Sequence, residues 1–296
     1  MITLPEECRT WSNPGGWGRQ RWSVNSVKDC LDGAGLRDRH QFDFYVQGSF
    51  ANNTHTGPES DIDVVVALQE CWASNIGALP KKDRDQYDEV TERAEYDLAQ
   101  FKNDVDDVLR PEYFRRWGDK CLKLKEYNDP FLLPIDVLVC VEYRHYKFFH
   151  DLSDQDYIPG VCFVIPNAGM VVNFPKLHLL RGNVKDRRVG GNYKPVIRIA
   201  KNAYRWAVEQ NLLPAGSAAG YFIECLLFNV PDEHFSSNHW LSFRACFERL
   251  RYETAALSGF ECQHGMGNLF GDGPEQWRKE SAVGLVDCMV EMRCRW

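Results

Sequence analysis

The sequence predicts an α+β protein, with strands in the first part of the chain and helices in the remainder. Residues 61–68 (DIDVVVAL) and 132–143 (LLPIDVLVCVEY) are apolar runs rich in β-branched side chains, which are typical of strands buried on both faces. From about residue 175 onward, apolar residues recur at helical spacing instead. The 296 residues, 44% of them apolar, are enough for one large domain or two lobes.

The other strands follow from alternation and from turn chemistry. Residues 42–47 alternate and are rich in aromatic side chains, which predicts a strand that enters a turn at Gly48 and Ser49. Residues 119–126 and 132–143 flank an Asn-Asp-Pro sequence that favours turns, so these two segments predict a hairpin.

One long amphipathic helix is predicted over residues 80–118. The segment is densely charged, and its apolar side chains recur at steps of three or four, which gives an apolar stripe and a solvated face. The stripe consists of Val90, Ala94, Leu98, Phe101, Val105 and Leu109. Further helices are predicted near residues 193–210, 217–228, 237–256 and 274–293.

Charge and cysteine content exclude several classes of protein. The formal net charge is -7, whereas proteins that hold long DNA or RNA by its phosphates carry a basic field. The 11 cysteines form no CxxC motif, which is typical of reduced thiols in a cytoplasmic protein. The sequence has neither a signal peptide nor an apolar run of about 18 residues, so no membrane association is expected.

Three aspartates form the strongest candidate for a chemical site. Asp61 and Asp63 are two residues apart on a predicted strand, so their side chains lie on the same face. Asp136 interrupts an apolar strand, where an ionised carboxylate is costly unless it is paired or binds a metal. Two divalent cations would offset the repulsion among three carboxylates and support in-line phosphoryl or nucleotidyl transfer.

Gly48 and Ser49 precede the acidic pair by a short polar loop. Glycine permits close approach of the backbone to a phosphate, and the Ser49 hydroxyl with nearby N–H groups can hold phosphate oxygens at a helix start. The alternative is a strand–turn–helix in which Ser49 is an N-cap and the aspartates lie on the surface. The combination with the isolated Asp136 favours the phosphate site.

The sequence GSFANNTHTGPESDIDVVV (48–66) resembles the GS…DxD signature of the DNA polymerase β-like nucleotidyltransferase superfamily. Four later blocks, 173–186, 192–205, 218–235 and 269–277, resemble the bacterial cGAS/DncV-like nucleotidyltransferases (CD-NTases), and within them clade E. The acidic motif points only to the superfamily, whereas the later blocks are more specific. The resemblance covers roughly residues 40–296.

The resemblance implies a fold and a reaction. It implies a polymerase β-like core of mixed sheet and helices over residues 1–165, a helical lobe over 166–296, and an active site in the cleft between them. It also implies that two nucleoside triphosphates are joined, with release of pyrophosphate, into a cyclic dinucleotide. Such a product acts as a second messenger in CBASS anti-phage defence and is read by a separate effector protein.

The resemblance also implies roles for individual residues. Asp61, Asp63 and Asp136 would bind two Mg²⁺ ions, for which Mn²⁺ can substitute, and Asp136 would also orient or deprotonate the attacking hydroxyl. Gly48 and Ser49 would hold the donor triphosphate.

A basic stripe on one predicted helix is a candidate triphosphate clamp. Its members recur at steps of four, three and four: Lys194, Arg198, Lys201 and Arg205. Lys201 matches a lysine of the family pattern and is the first choice, with Lys194 also assigned to nucleotide binding. A solvated helix face is the alternative, and it is preferred for Arg205.

One position departs from the family pattern. A serine usually precedes the block that reads YFIE here, and this chain has Gly220 in its place. The hydroxyl contact to phosphate is therefore lost, and Ser217 is a candidate to replace it.

The resemblance to clade E enzymes places Asn167 at the position that governs base choice in them. An amide offers both a donor and an acceptor, so it can read a uracil edge, although it can also read adenine. We therefore expect UTP and ATP as substrates and cyclic di-UMP or cyclic UMP-AMP as product. The alternative is a turn residue, because Pro-Asn-Ala-Gly over 166–169 favours turns.

Other functions remain open at this stage. The chain could be another polymerase β-like transferase that acts on a small molecule or a protein, or an inactive nucleotide-binding module. Chain length and the later blocks favour a CD-NTase over the first alternative, and the presence of all three carboxylates disfavours the second.

Replacing the proposed base-reading amide tests the assignment of Asn167. We expect Asn167→Ser to shift nucleotide incorporation from pyrimidine toward purine, because the hydroxyl cannot offer the paired donor and acceptor of the amide. The measurement is the ratio of labelled UTP to labelled ATP and GTP in the product. Nucleotide use identical to that of the unmodified protein would leave Asn167 as a turn residue.

Overall fold

The computed structural model describes residues 9–14, 18–57, 60–92, 94–126, 133–166, 168–253 and 259–292. The chain divides into two compact units that are not contiguous in sequence. The sheet unit comprises Trp17–Gln47 and Asp61–Pro175, and the helical unit comprises Met1–Gly16, Gly48–Ser60 and Lys176–Trp296.

The sheet unit is built on seven strands of mixed direction. They are β1 Phe42–Gln47, β2 Ile62–Asn75, β3 Tyr113–Trp117, β4 Leu122–Glu126, β5 Ile135–Phe149, β6 Gln155–Ile165 and β7 Gly169–Asn173. Their order is β1-β2-β5-β4-β3, and β6 pairs with β5 and β7 with β6. The β2–β5 pair is parallel and the others are antiparallel.

The domain boundary differs from the predicted one. The prediction divides the chain between residues 165 and 166, which is where β6 ends and the β6–β7 hairpin begins. Because β7 pairs with β6 along its whole length, the sheet unit continues to Pro175. Residues 48–60 also belong to the helical unit, although they follow β1 in sequence.

The helices of both units follow the chain. They are α1 Gly18–Gly33, α2 Leu36–Arg39, α3 Gly48–Ala51, α4 Lys81–Val90, α5 Leu98–Leu109, α6 Pro175–Arg188, α7 Tyr193–Glu209, α8 Gly220–Phe228, α9 His239–Tyr252 and α10 Lys279–Glu291. A short 3-10 helix covers Asp232–His234. The helices predicted beyond residue 190 correspond to α7, α8, α9 and α10.

The prediction of a single long helix over residues 80–118 is wrong, because the segment forms two helices and a strand. Helix α4 ends at Thr91, whose backbone is extended. Helix α5 is capped at its N-terminus by Asp97, whose carboxylate accepts from the backbone N–H groups of Ala99 and Gln100. This capping box satisfies N–H groups that an uninterrupted helix would pair internally, so it fixes a second helix start. Residues 113–117 then form β3 instead of helix.

Both faces of the central strands are buried, as the sequence predicts. Along β2, consecutive side chains point to opposite faces, and residues 64–68 are all buried. On one face an apolar cluster lies across β2, β5, β6 and β7: Val65, Ala67, Leu138, Cys140, Val161, Phe163 and Val171. Asp63 and Asp136 share this face by alternation, immediately beyond the cluster.

The core of the helical unit is formed mainly by α7, α8, α9 and α10. α7 contributes the apolar stripe predicted opposite its basic residues: Val196, Ile199, Ala200, Ala203 and Ala207. The nine cysteines of the described part of the chain are all free thiols. Among the described helices, none combines the length and the apolar character needed to cross a bilayer.

The capping box gives a test of the break between α4 and α5. We expect Asp97→Ala to lower the free energy of unfolding by about 1 kcal/mol, because two backbone N–H groups lose their acceptor. Denaturant unfolding measures the change. Asp107→Ala is the control, since Asp107 is exposed on the same helix and its pair with Arg110 is worth at most about 0.5 kcal/mol. An equal effect of both substitutions would contradict the cap.

Candidate active site

A row of polar side chains crosses the sheet unit at one level. Gln47 of β1 pairs in register with Asp63 of β2, and Asp63 with Asp136 of β5. Asp136 pairs with Lys123 of β4, which pairs with Arg116 of β3. Because directly paired residues point to the same face, the two carboxylates are neighbours, with an amide on one side and two cations on the other.

Lys123 offsets part of the negative charge of this row. Its ammonium lies 3.4 Å from Asp136 Oδ2, and both side chains are partly exposed. The Asp136 charge and its hydrogen bond raise the pKa of Lys123 above the usual lysine value, and Asp61 adds a smaller contribution. Burial, with Asp136 close by, raises the pKa of the Cys121 thiol to about 12, so this cysteine stays protonated.

Asp61 directly precedes β2, the strand that carries Asp63. The N–H of Ile62 donates to the carbonyl of Pro134 at 3.2 Å, which extends the β2–β5 pairing to the residue after Asp61. Asp61 itself is exposed. The position two residues before Asp63 corresponds to the same face of the strand.

The donor set in this row fits magnesium. Carboxylate oxygens are the ligands that Mg²⁺ prefers in proteins, and Asp63 and Asp136 sit on neighbouring strands about 4.8 Å apart. Within the described ranges, no group of three or more His, Cys, Asp or Glu side chains is arranged to hold a metal ion. The structure therefore brings together two of the three predicted ligands in register.

Gly48 and Ser49 begin a turn of helix directly after β1. Gly48 has φ +68°, a left-handed conformation that glycine adopts without strain, so the chain can turn sharply from Gln47 into α3. The N–H of Thr54 donates to the Ser49 carbonyl at 2.8 Å, which closes this segment on itself.

The helical unit contains a solvent-open cavity of about 240 Å³. Its lining combines one lysine and several hydroxyl groups with small or apolar residues. The lining residues are Ser49, Thr54, His55, Thr56, Ser60, Lys201, Tyr204, Ala218, Gly220 and Ile223. Hydroxyl groups around one ammonium suit an anion such as a phosphate chain.

Two members of the predicted basic stripe donate to the segment 48–60: Arg198, which is buried, and Arg205, which remains exposed to solvent. The Arg198 guanidinium donates to the carbonyls of Asn53 and Ser12, and burial lowers its pKa to about 10. Arg205 donates to the Thr56 carbonyl at 3.4 Å and to the side chain of Asn202. The stripe therefore holds this segment against α7.

Lys194 does not line the cavity. Its ammonium donates to the side chain of Asn183, and burial lowers its pKa. Ser217 also lies outside the cavity lining, with its hydroxyl 3.5 Å from that of Tyr204. The structure thus separates these two predicted nucleotide-binding residues from the cavity that Ser49 and Lys201 share. Asn167 lies outside the described residues.

Lys201 is held by a buried carboxylate. Its ammonium lies 2.5 Å from Glu224 Oε1 and 3.1 Å from Thr54 Oγ1. Burial acts to raise the pKa of Glu224, but Lys201 and His178 outweigh it and the pKa is well below the usual value. Glu224 is therefore ionised.

Comparisons with known proteins place the whole chain in one family. The family model described as the cGAS/DncV-like nucleotidyltransferase C-terminal helical domain matches residues 180–292. A cyclic UMP-AMP synthase from Rhodothermus marinus (strain SG0.5JP17-172) is 35% identical over 305 residues, which cover 100% of this chain and 99% of the relative. The chain belongs to the cGAS/DncV-like nucleotidyltransferases.

Further relatives of this cGAS/DncV-like nucleotidyltransferase agree with that assignment. The cyclic nucleotide synthase CdnE01 of Staphylococcus haemolyticus is 34% identical over 296 residues, covering 96% of this chain and 97% of the relative. The structure of Rhodothermus marinus CdnE c-UMP-AMP synthase with Apcpp and Upnpp matches with a TM-score of 0.85 and 33% identity, covering 100% and 98% of the two chains. The predicted fold class and membership of the CdnE group are confirmed.

Several residues of this CD-NTase were missed by sequence reasoning. Gln47 and Lys123 flank the acidic pair because of the register between strands, and this register cannot be read from the sequence. Lys123 alternates with Leu122 and Leu124, so it could have been assigned to the polar face of its strand. Glu224, in contrast, stands alone in an apolar helix, and this pattern does predict a structural partner for its charge. The structure shows His178 and Lys201 in that position.

Arg198 provides a test of how the segment 48–60 is held. We expect Arg198→Ala to lower the free energy of unfolding by about 2–3 kcal/mol, because buried carbonyls lose charged donors. Hydrogen exchange at amides 50–56 should also accelerate. Arg187→Ala is the control, since Arg187 is exposed on the neighbouring helix and should change stability by less than about 0.5 kcal/mol. Unchanged exchange in Arg198→Ala would contradict this docking.

Proposed function

We propose that this CD-NTase joins two nucleoside triphosphates into a cyclic dinucleotide that contains at least one pyrimidine, either cyclic UMP-AMP or cyclic di-UMP. The observation that carries the proposal is the in-register pair Asp63–Asp136 in a chain that is 35% identical, over its full length, to a cyclic UMP-AMP synthase. Support for a pyrimidine comes from that relative and from Asn167. UTP and ATP are accordingly the proposed substrates.

The aspartates supply the metal-binding part of this proposal. Asp61, Asp63 and Asp136 would hold two Mg²⁺ ions, or Mn²⁺ in their place. When bound, such ions activate the attacking hydroxyl and stabilise the leaving pyrophosphate. Lys123 would help to orient the Asp136 carboxylate, since the two groups are 3.4 Å apart.

The cavity of the helical unit supplies the phosphate-binding part. We assign the triphosphate to the Ser49 hydroxyl, the backbone at Gly48 and the Lys201 ammonium, because Ser49 and Lys201 line one cavity with further hydroxyl groups. Lys194 and Ser217 are weaker assignments, since neither lines the cavity and the Lys194 ammonium donates to Asn183 instead. Gly220 also lines the cavity, at the position where the family pattern has a serine.

The product would serve as a signal rather than as a building block. As in the family to which the chain belongs, we assign it to CBASS anti-phage defence, with a separate effector protein as its reader. The cysteines are free thiols in the described residues, which accords with the proposed cytoplasmic location.

One incubation distinguishes this function from its alternatives. The protein is mixed with each labelled nucleoside triphosphate, singly and in pairs, with Mg²⁺ or Mn²⁺ and no other acceptor. A phosphatase-resistant cyclic product, identified by mass, requires that both reacting groups come from nucleotides. A transferase for a small molecule or a protein would release no such product without its acceptor, and an inactive module would bind nucleotide without releasing pyrophosphate.

The acidic pair gives the corresponding prediction for a variant. We expect Asp61→Asn/Asp63→Asn to slow pyrophosphate release at least about a hundredfold, because loss of metal binding removes several kcal/mol of transition-state stabilisation and 1.36 kcal/mol is a factor of ten. Release of pyrophosphate from UTP and ATP is the measurement. Asp85→Asn/Asp88→Asn, which changes two exposed aspartates on α4, is the matched control. Full activity of the first variant would overturn the mechanism.

A further inference from the structure

The carboxylate of Glu224 joins three separate parts of the helical unit. Oε1 accepts from Lys201 on α7 and from the Thr54 hydroxyl at 2.6 Å. Oε2 lies 2.6 Å from His178 Nε2 on α6 and 3.3 Å from Asn52 Nδ2. Each oxygen therefore has two partners, and the side chain is only 4% exposed.

These contacts link the two sides of the cavity. Lys201 and Thr54 both line it, whereas Glu224 lies behind them and is absent from the lining. Thr54 donates to Glu224 and accepts from Lys201, so the three groups form a closed triangle. A lysine ammonium carries three N–H donors. Two of those on Lys201 have partners within the described residues, which leaves one for an anion in the cavity.

Gly220 explains how the lysine reaches this carboxylate. A Cβ added at Gly220 would lie 3.1 Å from Lys201 Cε and 3.2 Å from Lys201 Nζ, which is tighter than ordinary van der Waals contact. The lysine thus passes directly over the bare backbone at the start of α8. Glu224 is four residues further along α8, on the same side of the helix.

We propose that Glu224 is a positioning residue for triphosphate binding: it fixes the Lys201 ammonium at the cavity wall and, through Thr54 and Asn52, the segment that carries Ser49. This inference rests on the proposed function, because it assumes that the cavity holds a triphosphate. A flexible lysine loses side-chain entropy when it binds a ligand. A buried carboxylate that holds the ammonium in place beforehand reduces that loss.

The contrary interpretation is that Glu224 only stabilises the fold. Its charge would then serve to satisfy His178, Asn52 and Thr54, and its effect on phosphate binding would not depend on Lys201. The two interpretations differ in coupling, because residues that act through one another show non-additive effects in a double-mutant cycle.

The test is a cycle of Glu224→Gln, Lys201→Met and the double variant, with tripolyphosphate and Mg²⁺ as the probe and its dissociation constant as the readout. We expect each single variant to weaken binding about tenfold. We expect Glu224→Gln to change binding by less than about twofold when Lys201 is already Met. Thermal unfolding without the probe reports any separate loss of stability.

Two further variants keep the test decisive. If Glu224→Gln does not fold, Thr54→Val replaces it in the same cycle, since it removes the hydroxyl that bridges Lys201 and Glu224 and keeps the shape of the side chain. Asp232→Asn is the matched control, because Asp232 is the carboxylate partner of another buried lysine, Lys185, and does not line the cavity. It should leave tripolyphosphate binding unchanged.

The outcomes separate this inference from the proposed function. Additive effects, or an unimpaired Lys201→Met, would overturn the positioning role even in a protein that makes a cyclic dinucleotide. Absence of tripolyphosphate binding by the unmodified protein would also overturn it. Strong coupling in a protein that makes no cyclic product would support the positioning role and would remove the proposed reaction.

Discussion

The parallel pairing of β2 with β5 is the constraint on which the acidic site depends. Both strands are buried on both faces, so their register is fixed by the apolar residues that follow the aspartates. A slip of one residue would move every side chain of a strand to the opposite face. The same packing that buries Val65 and Leu138 therefore places Asp63 beside Asp136. Side-chain chemistry supplies the carboxylates, and the hydrophobic core supplies their alignment.

The helical unit carries charged side chains within a mainly apolar bundle. Arg198, Lys201 and Glu224 are all nearly inaccessible to solvent, and each has charged or carbonyl partners. Desolvation of such groups is costly unless they are paired. Here some of the partners come from residues 52–54, so the segment that carries Ser49 helps to satisfy the internal charges of the unit. The same contacts therefore stabilise the fold and position the residues proposed to bind phosphate.

The features that could be predicted from the sequence are those determined by residues close together in the chain. The apolar run of β2, the helices beyond residue 190 and the alternation of Asp61 with Asp63 are properties of neighbouring residues. The break between α4 and α5 is also local, but the capping box of Asp97 was hidden by a helical repeat that continues through it.

Contacts over long sequence separations were beyond that reasoning. The basic stripe on α7 predicts either a triphosphate clamp or a solvated helix face, because periodicity shows that side chains share a face and does not show what covers it. Arg198 is covered by Asn53, 145 residues away. Glu224 forms hydrogen bonds with His178 and Thr54, which belong to separate parts of the chain. The set of residues that line the cavity, from which Lys194 and Ser217 are absent, follows from this tertiary arrangement.

The contact between Thr54 and Glu224 has a consequence for synthesis of the chain. The two residues are 170 positions apart, and translation proceeds at roughly 5–20 residues per second. The segment 48–60 therefore leaves the ribosome on the order of ten seconds or more before the carboxylate that anchors it exists. During that interval the nascent chain can pair β1 with β2, but the loop between them lacks the carboxylate that binds Thr54. Because Arg198 and Arg205 on α7 also hold this loop, premature termination before α7 would remove all three anchors.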